Sequence, residues 1–311
     1  MRIGAVDIGT NSTRLLIADV APDGRIVELD RRSQVTRLGD RVDLSGRLDD
    51  AAVGRVFATL DAYRDALDAA EVPADARLAV LTSAVRDAAN GADFATQVRD
   101  RYGLDAQTIA GEREAQLTFL GATHDRDPDD ATPLLVYDIG GGSTELVVGH
   151  AGDVDFHVTT QAGVVRQTER HIRHDPPRPH ELQSLAAEIR RILDALVPQE
   201  VRSRAQAAIG VAGTATSLAA IDQELEPYDP ARVHGYVAEL GTAELQLARL
   251  AQLPLTARQQ IRGLHPDRAP VIVAGLVILI EVLRAFGFRR TEVSEHDILH
   301  GVLLERARAR P

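Results

Sequence analysis

The chain contains neither cysteine nor lysine. Without cysteine there can be no disulfide and no thiolate metal site, and the redox compartment leaves no mark on the sequence. All 35 basic residues are arginines, set against 46 acids for a formal net charge of −11. Genome composition is the first explanation of that bias. An acidic chain is a poor general binder of nucleic acid, so no specific nucleic-acid partner is expected. A polyanionic ligand would need arginines concentrated against the global charge, with a metal ion helping. Long apolar runs are also missing. Val271 to Ile280 meets Glu281 and Arg284 too soon to span a bilayer, and no membrane partner is expected. Met1-Arg2-Ile3-Gly4 leads into an apolar strand rather than a signal peptide, so a cytoplasmic location is expected.

What is present is a repeated turn. Asp138-Ile139-Gly140-Gly141-Gly142-Ser143-Thr144-Glu145 stands between two apolar stretches, Leu134 to Tyr137 and Leu146 to Val148. Three glycines between strands let backbone N–H groups turn inward together, a nest suited to a phosphate oxygen. Asp138 and Glu145 could hold a divalent cation that neutralises that phosphate. Asp7-Ile8-Gly9-Thr10-Asn11-Ser12-Thr13-Arg14-Leu15-Leu16-Ile17 aligns without gaps on Asp138 to Val148, with six of eleven positions identical. Two related domains, each presenting a turn to one cleft, are therefore expected, and 311 residues is a natural length for two. An apolar fraction of 44% with 26% charged residues fits a soluble globular protein.

In chain order, strands are expected at Ile3 to Ile8, Thr13 to Val20 and, after the Asp23-Gly24 turn, Arg25 to Ser33. Arg31, Arg32, Arg37, Arg41 and Arg47 read as loop, either facing the polyanion or forming a solvated basic rim. Leu48 to Ala70 is an amphipathic helix. Leu78 to Leu81 ends in Thr82-Ser83-Ala84-Val85-Arg86, a strand end passing into a helix, where Arg86 could grip phosphate in bidentate fashion. Gly111-Glu112-Arg113-Glu114 opens another helix. Its acids complement the helix dipole, or one of them serves as a general base for water. His124 to Pro133 is the best linker, which divides the chain into domains 1–125 and 126–311. The last helix, about 297–308, could pack back on the first domain. His171 and His174 are spaced i, i+3, but no third metal ligand is evident. Ala207 to Val211 runs into Gly213-Thr214, a third candidate phosphate loop. Thr256 could cap a short helix to Gly263, Pro270 to Phe286 is a buried helix, and Glu292 to Ser294 a last strand.

With those residues in place the chain resembles the exopolyphosphatase / guanosine pentaphosphate phosphatase family. The matching stretches are Val6 to Ser12, Thr82 to Asn90, Gly111 to Ala115, Asp138 to Glu145, Arg166-Gln167-Thr168-Glu169, Gly213 to Thr216 and Val233-His234-Gly235-Tyr236. They occur in family order over nearly the whole chain. The resemblance implies an α/β fold of two actin-like (ribonuclease H-like) domains with mixed sheets flanking a central cleft, in the family's short form. It also implies hydrolysis of a terminal phosphoanhydride. Asp7, Gly9, Thr10, Asn11, Ser12, Gly140, Gly141, Gly142, Ser143, Gly213 and Thr214 would bind phosphate. Asp138 and Glu145 would hold Mg²⁺ or another divalent cation, Arg86 would neutralise the departing oxygens, and Glu114 is by resemblance the base. Polyphosphate, expected to be short-chain, and guanosine pentaphosphate compete as substrate. An actin-fold small-molecule kinase and a non-catalytic polyphosphate or alarmone sensor are the alternatives from other classes. The family often forms homodimers.

Overall fold

The computed structural model describes residues 1–127, 129–150 and 152–309. Pro128, inside the expected linker, lies outside the described residues. The chain forms two compact units, Met1–His124 with Asp297–Pro311, and Asp125–His296.

The first unit is built on a sheet of β1 (Arg2–Ile8), β2 (Ser12–Val20), β3 (Ile26–Val35), β4 (Arg77–Leu81) and β5 (Asp105–Thr108), in the order β3-β2-β1-β4-β5. The first three strands run antiparallel, whereas β4 lies parallel to β1, and β5 to β4. Side chains alternate across a strand, and both faces here are covered. Val6, Ile8, Leu15 and Ile17 pack on one side with Val56, Leu60, Phe94 and Val98. Ile3, Ala5, Leu16 and Ala18 pack on the other with Leu117, Ile298, Leu299 and Leu303. This two-sided burial is why β1 and the middle of β2 read as unbroken apolar runs.

The second unit repeats the arrangement with β6 (Leu134–Ile139), β7 (Thr144–His150), β8 (Asp153–Thr160), β9 (Ala207–Val211), β10 (Tyr236–Glu239) and β11 (Arg290–Val293), in the order β10-β11-β9-β6-β7-β8. Again β6, β7 and β8 are antiparallel and β9 is parallel to β6. The helix Ile272–Phe286 lies at the centre of this unit's core, beside Leu135, Tyr137, Leu146 and Val148. Among the described residues no helix is long and apolar enough to cross a membrane.

Some expectations need correction. Arg31 and Arg32 lie in β3, within the strand expected over Arg25 to Ser33, and not in the loop also read there. That strand forms the sheet edge and has no buried face, so alternation did not mark where it ends. Thr256 does not cap its helix. The helix is Leu255–Arg258, and the Leu255 N–H at its start is met by Asp175 Oδ2 at 2.8 Å, an acceptor 80 residues away in sequence. The strand β10, between His234 and the helix Leu240–Leu250, was not anticipated. His171 and His174 are engaged with Ser184 and Glu181.

Glu181 anchors the start of the helix Pro179–Leu196. Burial pushes its carboxyl up, but the Arg178 N–H, His174 and the Arg173 N–H outweigh burial and hold it down at about 2. Burial likewise pushes the Glu28 carboxyl up, but His300 and Arg31 outweigh burial and hold it down at about 2. Both carboxylates therefore contribute stability above the ordinary carboxylate range that is lost as pH falls through it toward 2. Glu181→Gln is expected to lose about 1–2 kcal/mol at neutral pH and to flatten the acid side of the stability curve. Thermal melts between pH 2.5 and 7 check both.

Candidate active site

Each unit carries one polar loop cluster at the C-terminal end of its first strand. In the first, the Gly9 N–H donates to Ser12 O at 3.0 Å, closing the turn between β1 and β2. The carbonyl of Thr10 then accepts from the Gly39 N–H (2.8 Å), and that of Asn11 from the Thr36 and Arg37 N–H groups (3.0 and 2.8 Å). In the second, Gly140 N–H donates to Ser143 O at 3.0 Å. The Gly140, Gly141 and Gly142 carbonyls accept from the N–H groups of Val164 (2.9 Å), Val165 (2.9 Å) and Gly163 (3.2 Å), at the start of the helix Val164–His171.

These bonds orient what is left. A trans peptide points its N–H opposite to its carbonyl. Committing the carbonyls to the supporting loop therefore aims the N–H groups of Asn11 and Ser12, and of Gly141, Gly142 and Ser143, the other way. Among the described residues no backbone carbonyl accepts from Asn11, Gly141, Gly142 or Ser143. Such converging donors form an anion-binding concavity. The close approach requires a missing side chain at both supports. A Cβ on Gly39 would stand 2.1 Å from Thr10 Cγ2, and one on Gly163 would stand 2.3 Å from the Gly141 carbonyl carbon. Neither glycine stood out in the sequence, because unequal hairpin lengths end the gapless alignment before either is reached.

The neighbouring parallel strand adds a second loop in each unit. At the end of β4 the Ser83 and Thr10 hydroxyls are 2.8 Å apart, tying the two loops of the first unit together. From the helix Ser83–Asp87, Arg86 Nη1 reaches Glu114 Oε2 at 3.2 Å and the Ile109 carbonyl at 2.9 Å. Glu114 is buried in the first turn of the helix Gly111–Thr123. The structure thus joins the two expected catalytic residues in one ion pair. At the end of β9, Ala212 takes a left-handed backbone (φ 62°) and leads into Gly213 and Thr214. A Cβ on Gly213 would lie 2.0 Å from an Arg268 guanidinium nitrogen, so this arginine lies directly over the loop. Sequence reasoning missed Arg268, which no motif marked.

The strand-end acids differ between the units. Asp7 stands opposite Arg14 in the β1–β2 register, and Arg14 bonds Asp7 Oδ2 through Nε (3.0 Å) and Nη2 (2.6 Å). Arg14 also bonds Asp297. Burial pushes the Asp7 carboxyl up, with Arg14 pulling it partly back. Its Oδ1 is buried and has no hydrogen-bond partner among the described residues. Asp138 instead stands opposite Glu145, both buried. Like charges directly across a ladder are unfavourable, and an all-oxygen donor set of two carboxylates suits a hard divalent cation.

A profile of the Ppx/GppA phosphatase family matches residues 16–309. The chain belongs to that family. It is 35% identical to Exopolyphosphatase 2 of Mycobacterium tuberculosis, over 98% of either chain. Among solved structures, the Ppx/GppA family member of Aquifex aeolicus superposes with a TM-score of 0.83 at 30% identity, covering 99% of this chain and 98% of that one. An exopolyphosphatase of Cytophaga hutchinsonii gives 0.90 at 27%, with coverage of 99% and 98%. Family membership makes the chain a hydrolase of the phosphatase kind, and the α/β architecture with two mixed sheets is that of its Ppx/GppA relatives.

Gly163→Ala should force the Gly141 peptide out of place, lower stability by about 1–3 kcal/mol and abolish turnover. Gly54→Ala, in an exposed stretch of helix with nothing within 4 Å of the new Cβ, should instead stabilise by about 0.5–1 kcal/mol. Melting curves and phosphate release on the two variants separate the cases.

Proposed function

We propose that the protein is an exopolyphosphatase that hydrolyses the terminal phosphoanhydride of inorganic polyphosphate and releases orthophosphate. The observation that carries this reading is the repeated loop, whose carbonyls are taken by the protein and whose N–H groups are turned outward in both units. A ligand with several phosphates in a row offers loops of this kind a series of oxygens to hold. The match over 98% of an exopolyphosphatase supports the choice of polyphosphate over guanosine pentaphosphate.

In this mechanism the loop N–H groups fix the terminal phosphates, and Arg86 moves from Glu114 to the phosphoryl oxygens as substrate enters. Glu114 orients a water molecule and takes its proton while the water oxygen attacks the terminal phosphorus. The P–O anhydride bond breaks, and the shortened chain leaves with the electron pair. Asp138 and Glu145 would hold the divalent cation, Mg²⁺ in our reading, which when bound would neutralise charge on the non-terminal oxygens. Phosphoryl transfer needs mostly positioning and charge stabilisation, which is what these groups offer.

Glu114→Gln should still bind substrate but turn over about 10²–10⁴-fold more slowly. Near-normal turnover would remove Glu114 from the mechanism. Phosphate release by the wild-type protein from short and long polyphosphate and from guanosine pentaphosphate decides the substrate. A clear preference for the nucleotide would replace polyphosphate with the second reading.

A further inference from the structure

The C-terminal helix Ile298–Arg308 belongs to the first unit, and its first turn touches that unit's polar cluster at two points. The first point is electrostatic. Asp7 and Arg14 lie on the sheet face that this helix covers, the face of Ile3, Ala5, Leu16 and Ala18. Arg14 is bonded to both Asp7 and Asp297. Asp297 is itself fixed: it caps the helix by accepting from Leu299 N–H at 3.0 Å, and its own N–H lies 3.4 Å from His300 Nδ1. The ring's Nε2 contacts Glu28 at 3.0 Å.

The second point is steric. The helix crosses the Gly111–Thr123 helix with a glycine on each side. A Cβ on Gly121 would lie 1.9 Å from Asp297 O, and one on Gly301 would lie 1.9 Å from Leu117 O. The backbones are thus in contact one to two turns from Glu114. Arg113, beside Glu114, also pairs with Glu305 further along the C-terminal helix.

We propose that the first turn of the C-terminal helix is a positioning element: Asp297 holds Arg14 on Asp7, while the Gly121–Gly301 crossing seats the helix that carries Glu114. One rigid turn thereby sets both the strand-end carboxylate and the base. The inference rests on the hydrolase reading above, but it makes a separate structural claim.

Asp297→Asn tests it in the full-length chain. Asn caps a helix about as well as Asp, so the melting temperature should stay within about 3 °C while the charge that holds Arg14 is gone. Small displacements at a phosphoryl-transfer site cost rate more than ground-state binding. The expected result is a kcat lower by roughly ten- to a hundredfold with KM within about twofold. Hydrogen exchange should quicken in the peptides spanning 7–14 and 111–121. Gly301→Ala should slow turnover similarly, with a lower melting temperature. Wild-type kcat in Asp297→Asn, a change confined to KM, or unchanged exchange in both peptides would overturn the proposal. If the wild-type protein released phosphate from neither substrate, the hydrolase reading would fall, and the exchange measurement alone would still decide the positioning claim.

Discussion

The polar loops depend on a commitment made by their carbonyl oxygens. A glycine-rich turn in isolation has no reason to present its N–H groups to one side. Here the Thr36–Gly39 segment takes the carbonyls of one turn, and the start of the Val164–His171 helix takes those of the other. Each bond adds little by itself, since folding gives up a bond to water to make it. Together they remove the alternative peptide orientations. The support sits close enough only because Gly39 and Gly163 lack side chains. The turn glycines supply the freedom, and the supporting glycines take it away.

The same strands decide which way the charged groups point. In β1 the odd positions Ile3 and Ala5 share a face with Asp7, and the even positions Val6 and Ile8 face the other core. Burial on both sides fixes the register, because a slip of one residue would send Asp7 into the cluster of Val56 and Phe94. A buried carboxylate there needs a cation, and Arg14 stands across the ladder to provide it. Asp7 is thus dictated by packing as much as by chemistry. That also explains why its carboxyl is pushed up although an arginine touches it.

How much of this could be read from the sequence depended on range. The hairpins, the β4 and β9 junctions and the helix bearing Glu114 follow from local patterns, and the internal repeat gave away the duplicated architecture. Contacts between distant segments were not legible. Nothing near Asp297 signals that it will meet Arg14, 283 residues away. Arg268 carries no motif, and its place over Gly213 comes from the packing of the second unit. Arg31 and Arg32 were read both as strand and as loop, because an edge strand without a buried face has no alternation to mark its end. Thr256 looked like a cap because local chemistry allowed it, but Asp175 supplied the acceptor from afar.

The two copies of the hairpin also show how a duplicated element can divide its labour. The strand-end aspartate is common to both, and the residue opposite it is not: Arg14 in one unit, Glu145 in the other. The first pair sums to no net charge, and its guanidinium also bonds Asp297. The second pair brings two acids to one spot, an arrangement that gains most from a divalent cation. A single substitution of base for acid at one register position is enough to separate the roles. If each copy had kept an arginine, no carboxylate pair would remain to hold a metal. If each had kept a glutamate, Asp7 would lack the counter-charge that its burial demands. Both aspartates are buried, so the asymmetry lies in the residue opposite each one and not in how deeply its face is covered.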